Sequence, residues 1–388
     1  YLVKEMRKGK VMKPKIIAFY LPQFHTTPEN DKWWGEGFTD WVSARNAERL
    51  FPGHYQPRLP AHSNYYNLLD KKTMSRQAEL AKKAGIYGFC IYHYWFGNDK
   101  KLLEKPAENL LQWKDIDMNY CFSWANESWV RSWSKFDGNS WMVTEDNKEL
   151  NQGMLVQQEY GDEKEWKKHF EYLLPFFRDQ RYIKKDNKPV FVIYKPENIK
   201  RIRLIVQYWN LLAREQGFDG IYFIGTNDPK WKKDGLNAEL LYEPQYTFGD
   251  RPSALMMKMQ KVLKRNNIHF LQLYSYDKFW KKILNRKIKE KTYRGGFVDY
   301  DDTPRKGFDG IVVNGMTPRK FGKYFRQLYN KAADRGDEYV FLTAWNEWGE
   351  GAYLEPDQRY GMRCLWELRQ IVKESIKTSD RKREEDAT

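Results

Sequence analysis

Eight short apolar runs, at residues 15–21, 87–93, 118–123, 190–194, 221–225, 240–243, 295–300 and 339–344, alternate along the chain with longer segments of helical period. Runs of this length, rich in Val, Ile, Phe and Tyr, read as strands buried on both faces. The intervening segments 71–84, 163–178, 199–216, 252–265 and 318–335 read as helices, and several end near a glycine, a common helix stop. Strands that alternate with helices pair in parallel through crossover connections, and eight such units fit a closed (β/α)8 TIM barrel. An open doubly wound sheet is the alternative.

That alternative usually binds nucleotides through a glycine-rich loop after its first strand. Here the first run leads into Pro22-Gln23-Phe24-His25, with no G-x-G-x-x-G or Walker pattern. No repeat, low-complexity linker or composition break divides the 388 residues. The expectation is one barrel with long βα loops over residues 15–377, a poorly ordered segment at 1–14 and a flexible charged tail at 378–388. The first connection, 24–70, is long and rich in Trp, Gly, His and Pro, which marks it as functional rather than disordered.

In such barrels the chemistry lies at the C-terminal ends of the strands. All eight ends here are polar or polar-aromatic. The first carries Tyr20 and His25, the second Tyr92 and His93, the third Trp124, Asn126 and Glu127, and the fourth Tyr194. The fifth continues into Asn227-Asp228, the sixth offers Glu243 and Tyr246, and the seventh Asp299, Asp301 and Arg305. The eighth delivers Trp345-Asn346-Glu347-Trp348-Gly349-Glu350. The 16 Trp and 26 Tyr exceed what a core alone requires, and their part-apolar, part-polar rings suit the faces and hydroxyls of a sugar.

Glu347 and Glu350 stand out among these. Side chains at i and i+3 in a turn are separated by roughly 5–6 Å at their β-carbons. Retaining glycosidases place two carboxyl groups about 5–5.5 Å apart. Flanking Trp rings lower the local dielectric and raise a carboxyl pKa, as a general acid near neutrality requires. The bland alternative, in which Glu350 caps a helix and Glu347 is solvated, is disfavoured by their place after the eighth strand.

Other residues leave two readings open. His25 and His93 could ligate a metal, but neither lies in an H-E-x-x-H spacing, and hydrogen bonding to sugar hydroxyls is favoured. Asp299-Tyr300-Asp301 has the D-x-D form that many nucleotide-sugar transferases use to hold a divalent ion, with sugar binding as the other reading. Glu127 is either a third acid in the cleft or an ion-pair partner of Arg131. No metal or other cofactor is expected, except a divalent ion under a transferase reading.

The net charge of +15 is spread over the chain with acids between the basic clusters, and no nucleic-acid motif accompanies it. The segment 258–291, which mixes Lys and Arg with Leu263, Phe270, Leu271, Tyr274, Phe279, Trp280 and Ile283, is the best candidate for peripheral contact with an anionic membrane or a lipid-linked glycan. Three scattered cysteines make no disulfide framework. The expected location is cytoplasmic, with peripheral contact at the inner membrane as an option.

Several motifs together resemble the WbsX-type proteins of polysaccharide and lipopolysaccharide biosynthesis, relatives of glycoside hydrolase family 99. They are 18–25, the Trp34-Gly35-Glu36-Gly37-Phe38-Thr39-Asp40-Trp41 stretch, Gly53-His54-Tyr55-Gln56-Pro57, and Trp345 to Trp348 with Glu355-Pro356-Asp357. The resemblance spans about residues 15–375 and implies a (β/α)8 barrel. It adds Trp41 to the expected sugar contacts, beside Trp345 and Asn346. Family 99 enzymes cleave internal α-mannosidic bonds with retention. The resemblance implies that Glu347 deprotonates the sugar 2-hydroxyl, giving a 1,2-anhydro sugar, and that Glu350 is the acid/base. Gly349 departs from the hydrolases. The reading favoured is a hydrolase or transglycosylase of a bacterial surface polysaccharide. A cytoplasmic glycosyltransferase extending an O-antigen or capsule, and a non-catalytic glycan-binding protein, are the alternatives.

Overall fold

The computed structural model describes residues 13–130, 153–249 and 271–385, with side chains described as far as Ser375. Its centre is a parallel barrel of β1 (Lys15–Tyr20), β2 (Ile86–Gly97), β3 (Asn119–Trp124), β4 (Lys188–Ile193), β5 (Tyr222–Thr226), β6 (Ala238–Leu241), β7 (Thr292–Phe297) and β8 (Tyr339–Thr343). Neighbours in sequence are neighbours in the sheet, and β8 returns to β1 with Lys15 opposite Tyr339 and Ala18 opposite Leu342. The ring is therefore closed, and the open-sheet alternative is set aside.

Around it lie α1 (Pro28–Trp34), α2 (Asp40–Arg45), α3 (Lys71–Ala84), α4 (Lys105–Gln112), α5 (Glu163–Arg178), α6 (Ile202–Glu215), α7 (Tyr276–Asn285), α8 (Pro318–Arg335) and α9 (Arg363–Glu385). Local chemistry fixes several of their ends. Asp70 accepts from the Lys72 N–H to cap α3, which stops at left-handed Gly85. Thr317 caps α8 ahead of Pro318, and Gly336 closes it in the same way.

Two strands differ from the sequence expectation. β2 runs on to Gly97 because its end folds back as a hairpin onto Lys100–Leu102. β7 sits three residues earlier than expected: it starts at Thr292, so Gly295 and Gly296 fall in its second half rather than at its start. A β-carbon on Gly295 would fall 2.1 Å from the Leu241 carbonyl oxygen, so glycine is what lets β7 lie against β6. Asp299 and Tyr300 consequently lie beyond the strand.

The barrel interior is aromatic. The Phe19 ring stands edge-on to Tyr242 at 4.8 Å, stacks on Tyr92 at 5.5 Å and lies 6.0 Å from Phe341. Above it the Tyr92 and Tyr242 hydroxyls hydrogen-bond at 2.6 Å. This plug becomes the floor of the cleft described below.

The expected helix 252–265, Leu263, Phe270 and Arg131 lie outside the described residues, as do the first twelve positions. In the described part of 258–291, Phe279, Trp280 and Ile283 are buried on the barrel side of α7. Those three side chains are core rather than a membrane-facing surface, which corrects the expectation for them, whereas Leu271 and Tyr274 are half-buried. The three cysteines are buried and free. No helix among the described residues is long and apolar enough to cross a membrane.

Candidate active site

Beyond β8 the chain makes a tight hairpin in which Asn346–Glu347 pairs with Ala352–Tyr353 across the turn Trp348–Glu350. Gly351 takes a left-handed φ of 62° to complete the turn. The hairpin is anchored on all sides. The Trp345 N–H donates to the Phe19 carbonyl at 2.7 Å, and the Asn346 amide binds both the N–H and the carbonyl of Leu21 at 2.8 and 2.9 Å. Trp348 stacks on Tyr353 with centroids 3.8 Å apart and donates its indole N–H to Glu355 at 2.8 Å. Glu355 also accepts from Tyr66 and Gln77, and Gln77 accepts from the Tyr20 hydroxyl.

Glu347 and Glu350 project from this scaffold into a cleft of about 290 Å³ at the C-terminal end of the barrel. Arg305, in the short helix Thr303–Lys306, lies between them. Its Nη1 donates to Glu350 at 2.9 Å, its Nη2 to Glu347 at 3.3 Å, and its Nε and Nη2 to Asp40 at 3.3 and 3.1 Å. Asp40, at the start of α2, accepts the Gly349 N–H at 3.0 Å as well. Two cationic side chains, Arg305 and Lys306, thus share the cleft wall with Asp40, Glu127, Asp302, Glu347 and Glu350.

Burial and this excess of carboxylates set the proton affinities. The Glu347 carboxyl is pushed well above the usual carboxylate range by burial, with Glu350 and Asp40 adding to the rise and Arg305 opposing it. Glu350 is raised by burial against the pull of Arg305. Glu127 is raised by burial, with Lys195 opposing. The pair is built to retain a proton. Burial also keeps the Tyr92, Tyr194 and Tyr242 hydroxyls protonated, leaving them as donors on the floor.

Of the residues expected from sequence, Glu347, Glu350, Tyr92, Glu127, Tyr194 and Arg305 line the cleft. The others stand in the scaffold around it. Tyr20 and Asn346 are held as described, and Trp345 is fully buried. Trp41 packs on Phe24, Tyr66 and Trp348 and gives its indole N–H to the Tyr66 carbonyl. His25 is buried, and burial lowers its pKa to about 4. His93 meets His169 at 2.8 Å, and burial lowers its pKa to about 3, so it stays neutral. Trp124 donates to the Trp95 carbonyl, and Asn126 binds the Lys195 backbone. Glu243 is paired with Arg286, whose guanidinium also covers the Tyr246 ring at 4.4 Å.

The D-x-D tripeptide is likewise internal. Asp301 is fully buried and accepts from His54 Nε2 at 2.9 Å, Gln56 at 2.7 Å, and the Thr303 N–H and hydroxyl at 3.1 and 2.6 Å. Asp299 accepts from Arg58 at 2.7 Å. The Asp301 oxygens are taken up by these donors and Asp299 is paired with Arg58, so the tripeptide does not present two open carboxylates to a divalent ion held for a nucleotide sugar. Among the described residues no group of three or more His, Cys, Asp or Glu is arranged to hold a metal.

Cleft residues absent from the sequence expectation include Gln23, Trp34, Phe38, Asp40, Tyr94, Trp129, Tyr242, Asp302 and Lys306. Tyr94 had a readable signal, since it is two residues from Tyr92 on the same strand and therefore on the same face. Asp40 did not, because its role depends on a contact with Gly349, 309 residues away.

The closed parallel barrel is a fold shared with family 99 glycoside hydrolases. The endo-α-mannosidase of that family from Bacteroides thetaiotaomicron, in complex with Bis-Tris propane, matches at a TM-score of 0.52 and 18% identity, over 94% of this chain and 98% of that one. A glycoside hydrolase-like protein matches at 0.52 and 14% identity, over 94% and 95%. The chain belongs to the WbsX glycosyltransferase family, whose model matches residues 16–368. Uncharacterized protein WxcX of Xanthomonas campestris pv. campestris strain B100 is 30% identical over 367 residues, 92% of this chain and 49% of that protein. The chain thus spans about half the length of that relative.

Proposed function

We propose that this chain is a retaining glycosidase or transglycosylase that acts on an internal bond of a bacterial surface polysaccharide through Glu347 and Glu350. The observation that carries the reading is the joint placement of the two acids, on one hairpin turn above an aromatic floor and joined to a single guanidinium.

In the reaction, Glu347 accepts the proton of the sugar 2-hydroxyl while O2 forms a bond to the anomeric carbon. The glycosidic bond breaks, and its oxygen takes the proton from Glu350. The 1,2-anhydro sugar then opens as an acceptor hydroxyl attacks the anomeric carbon. Glu350 takes the acceptor proton, and Glu347 returns its own to O2. Two displacements give retention. In the free protein burial raises both carboxyls, so the pair holds a proton. A 2-hydroxyl donating to Glu347 stabilises its carboxylate and shifts that proton to Glu350, so the bound sugar itself sets the roles. Trp34, Phe38 and Trp129 supply apolar faces for the flanking sugar rings.

The transferase reading draws support from the family's description. Against a nucleotide-sugar donor stand the five carboxylates on the cleft wall, which repel a diphosphate, and the occupied D-x-D. A transfer in which a sugar hydroxyl replaces water as acceptor needs no diphosphate and is compatible with the same acids.

The test is incubation of the purified protein with α-linked oligosaccharides whose 2-hydroxyl is trans to the leaving group, following reducing ends and chain length. Cleavage or chain redistribution that Glu350→Gln abolishes is expected. Consumption of a nucleotide sugar with a lipid-linked acceptor, and none of any oligosaccharide, would overturn the proposal.

A further inference from the structure

Gly349 lies between the two acids, and the space beside it is filled. A β-carbon built on it would lie 2.6 Å from Arg305 Nε and 2.7 and 2.8 Å from the Asp40 carboxyl oxygens. Its backbone does not adopt a left-handed φ, so what glycine provides here is room and not conformational freedom. The room is occupied by an Arg–Asp pair that reaches the acids from another part of the fold.

The pair is itself tightly held. The Asp40 N–H donates to the Gln23 carbonyl at 3.2 Å, and the Asp40 carboxylate accepts from the Gly349 N–H and from Arg305. The Arg305 N–H donates to the Asp302 carbonyl at 3.1 Å, and 20% of the Arg305 side chain stays exposed to the cleft. A guanidinium is a planar fork with five donors, and Lys at this position has no equivalent geometry. One plane therefore touches three carboxylates, with the shorter bond to Glu350 and the longer to Glu347.

We infer that Arg305 is the positioning residue of the acid pair: seated by Asp40 and admitted by Gly349, its fork fixes the spacing of Glu347 and Glu350 and releases Glu347, the more weakly held, to the sugar hydroxyl. The inference rests on the proposed roles of the two acids. It assigns Gly349 a function as well, since any side chain there evicts the fork. The charged groups that face the pair are Asp40, Asp302, Arg305 and Lys306: the Asp40 and Asp302 carboxylates accept the backbone N–H groups of Gly349 and Ile311, and Lys306 Nζ donates to Asp302 at 2.6 Å.

The test is a carboxyl titration by carbon-13 NMR of the full chain labelled at the glutamate side-chain carboxyl, with Glu347→Gln and Glu350→Gln assigning the two signals. Arg305→Gln is expected to move both midpoints to higher pH, because the neighbouring cation that favours the carboxylates is gone. Gly349→Ala is expected to move them in the same direction although it removes no charge. Arg305→Lys keeps the charge without the fork, and is expected to leave the midpoints closer to wild type while still lowering kcat on a cleaved oligosaccharide. Midpoints unmoved in Gly349→Ala, or wild-type kcat in Arg305→Lys, would overturn the inference. If Arg305→Gln does not fold, Gly349→Ala carries the titration alone. The titration needs no substrate, so a protein that cleaves no glycan fails the proposed reaction without deciding the arrangement of the fork.

Discussion

Two clusters at the mouth of the barrel are built from the same parts, an arginine set among carboxylates, and they do opposite things. At Arg58, Asp299 and Asp301, donors from His54, Gln56 and Thr303 complete the shell, and Asp301 is left with no exposure. At Arg305, three carboxylates share one guanidinium and face a cleft. The first cluster is closed, with both Asp301 oxygens met by donors, and the second is open and short of positive charge. The difference shows in the proton affinities. Hydrogen bonds from His54 and Thr303 and the charge of Arg58 outweigh burial and hold Asp301 below its ordinary value, whereas burial raises Glu347 and Glu350, and also Asp299, which has fewer donors. Identical residue types are locked into the scaffold in one place and left facing a cleft in the other according to how many donors surround them.

The contrast is sharpest in catalysis. Glu350→Gln is expected to lower turnover of a cleaved oligosaccharide by about 10²–10⁴-fold, the usual contribution of a general acid, with an unchanged circular dichroism spectrum. An equal loss from Asp299→Asn, with folding intact, would erase the distinction between the clusters. For stability the order reverses. Asp301→Ala strands His54 and Arg58 donors in the interior and is expected to cost about 3–5 kcal/mol in urea unfolding. A smaller effect of opposite sign is expected from Glu347→Gln, which relieves an unfavourable buried charge and raises the unfolding midpoint at neutral pH.

The pH dependence follows from the same signs. Glu347 and Glu350 keep their protons to higher pH in the folded than in the unfolded chain, where the ordinary value is 4.5. Their stabilising contribution is full below about 4.5 and is lost as pH rises through the folded values. Asp301 behaves oppositely: its contribution is present above 3.8 and is lost as pH falls through its depressed folded value. Unfolding followed from pH 3 to 8 should therefore leave Glu347→Gln and Asp301→Asn nearest wild type at pH 3 and move them in opposite directions as pH rises, the first gaining stability relative to wild type and the second losing it. The smallest effect expected is none at all: a chelator leaves turnover unchanged, as a D-x-D already filled by protein donors requires, and a chelator-sensitive activity would show that cluster to be open.

The barrel was legible because each strand is a short run buried on both faces, which leaves an apolar block that no helix period explains. Where the reading slipped, as at β7, the cause was a contact of Gly295 with a neighbouring strand that sequence does not display. The acids were legible because they are contiguous. Strand ends were read less well, since adjacent residues of a strand point to opposite sides. Tyr92 and Tyr94 reach the cleft while His93 between them turns to α5 and His169. Half of any polar strand end thus belongs to the scaffold, and which half depends on register. Asp301 and Glu243 misled for another reason: a carboxylate looks the same in sequence whether or not buried donors await it.

The Asn346 amide, which grips the backbone of Leu21 as a neighbouring strand would, has a further consequence for assembly. It joins the last barrel strand to the first, so the turn that carries both acids acquires its shape only when the ring is complete. A partly assembled chain would hold both acids without the turn that spaces them, so that, on the proposed function, turnover would double as a report on whether the circle has been closed.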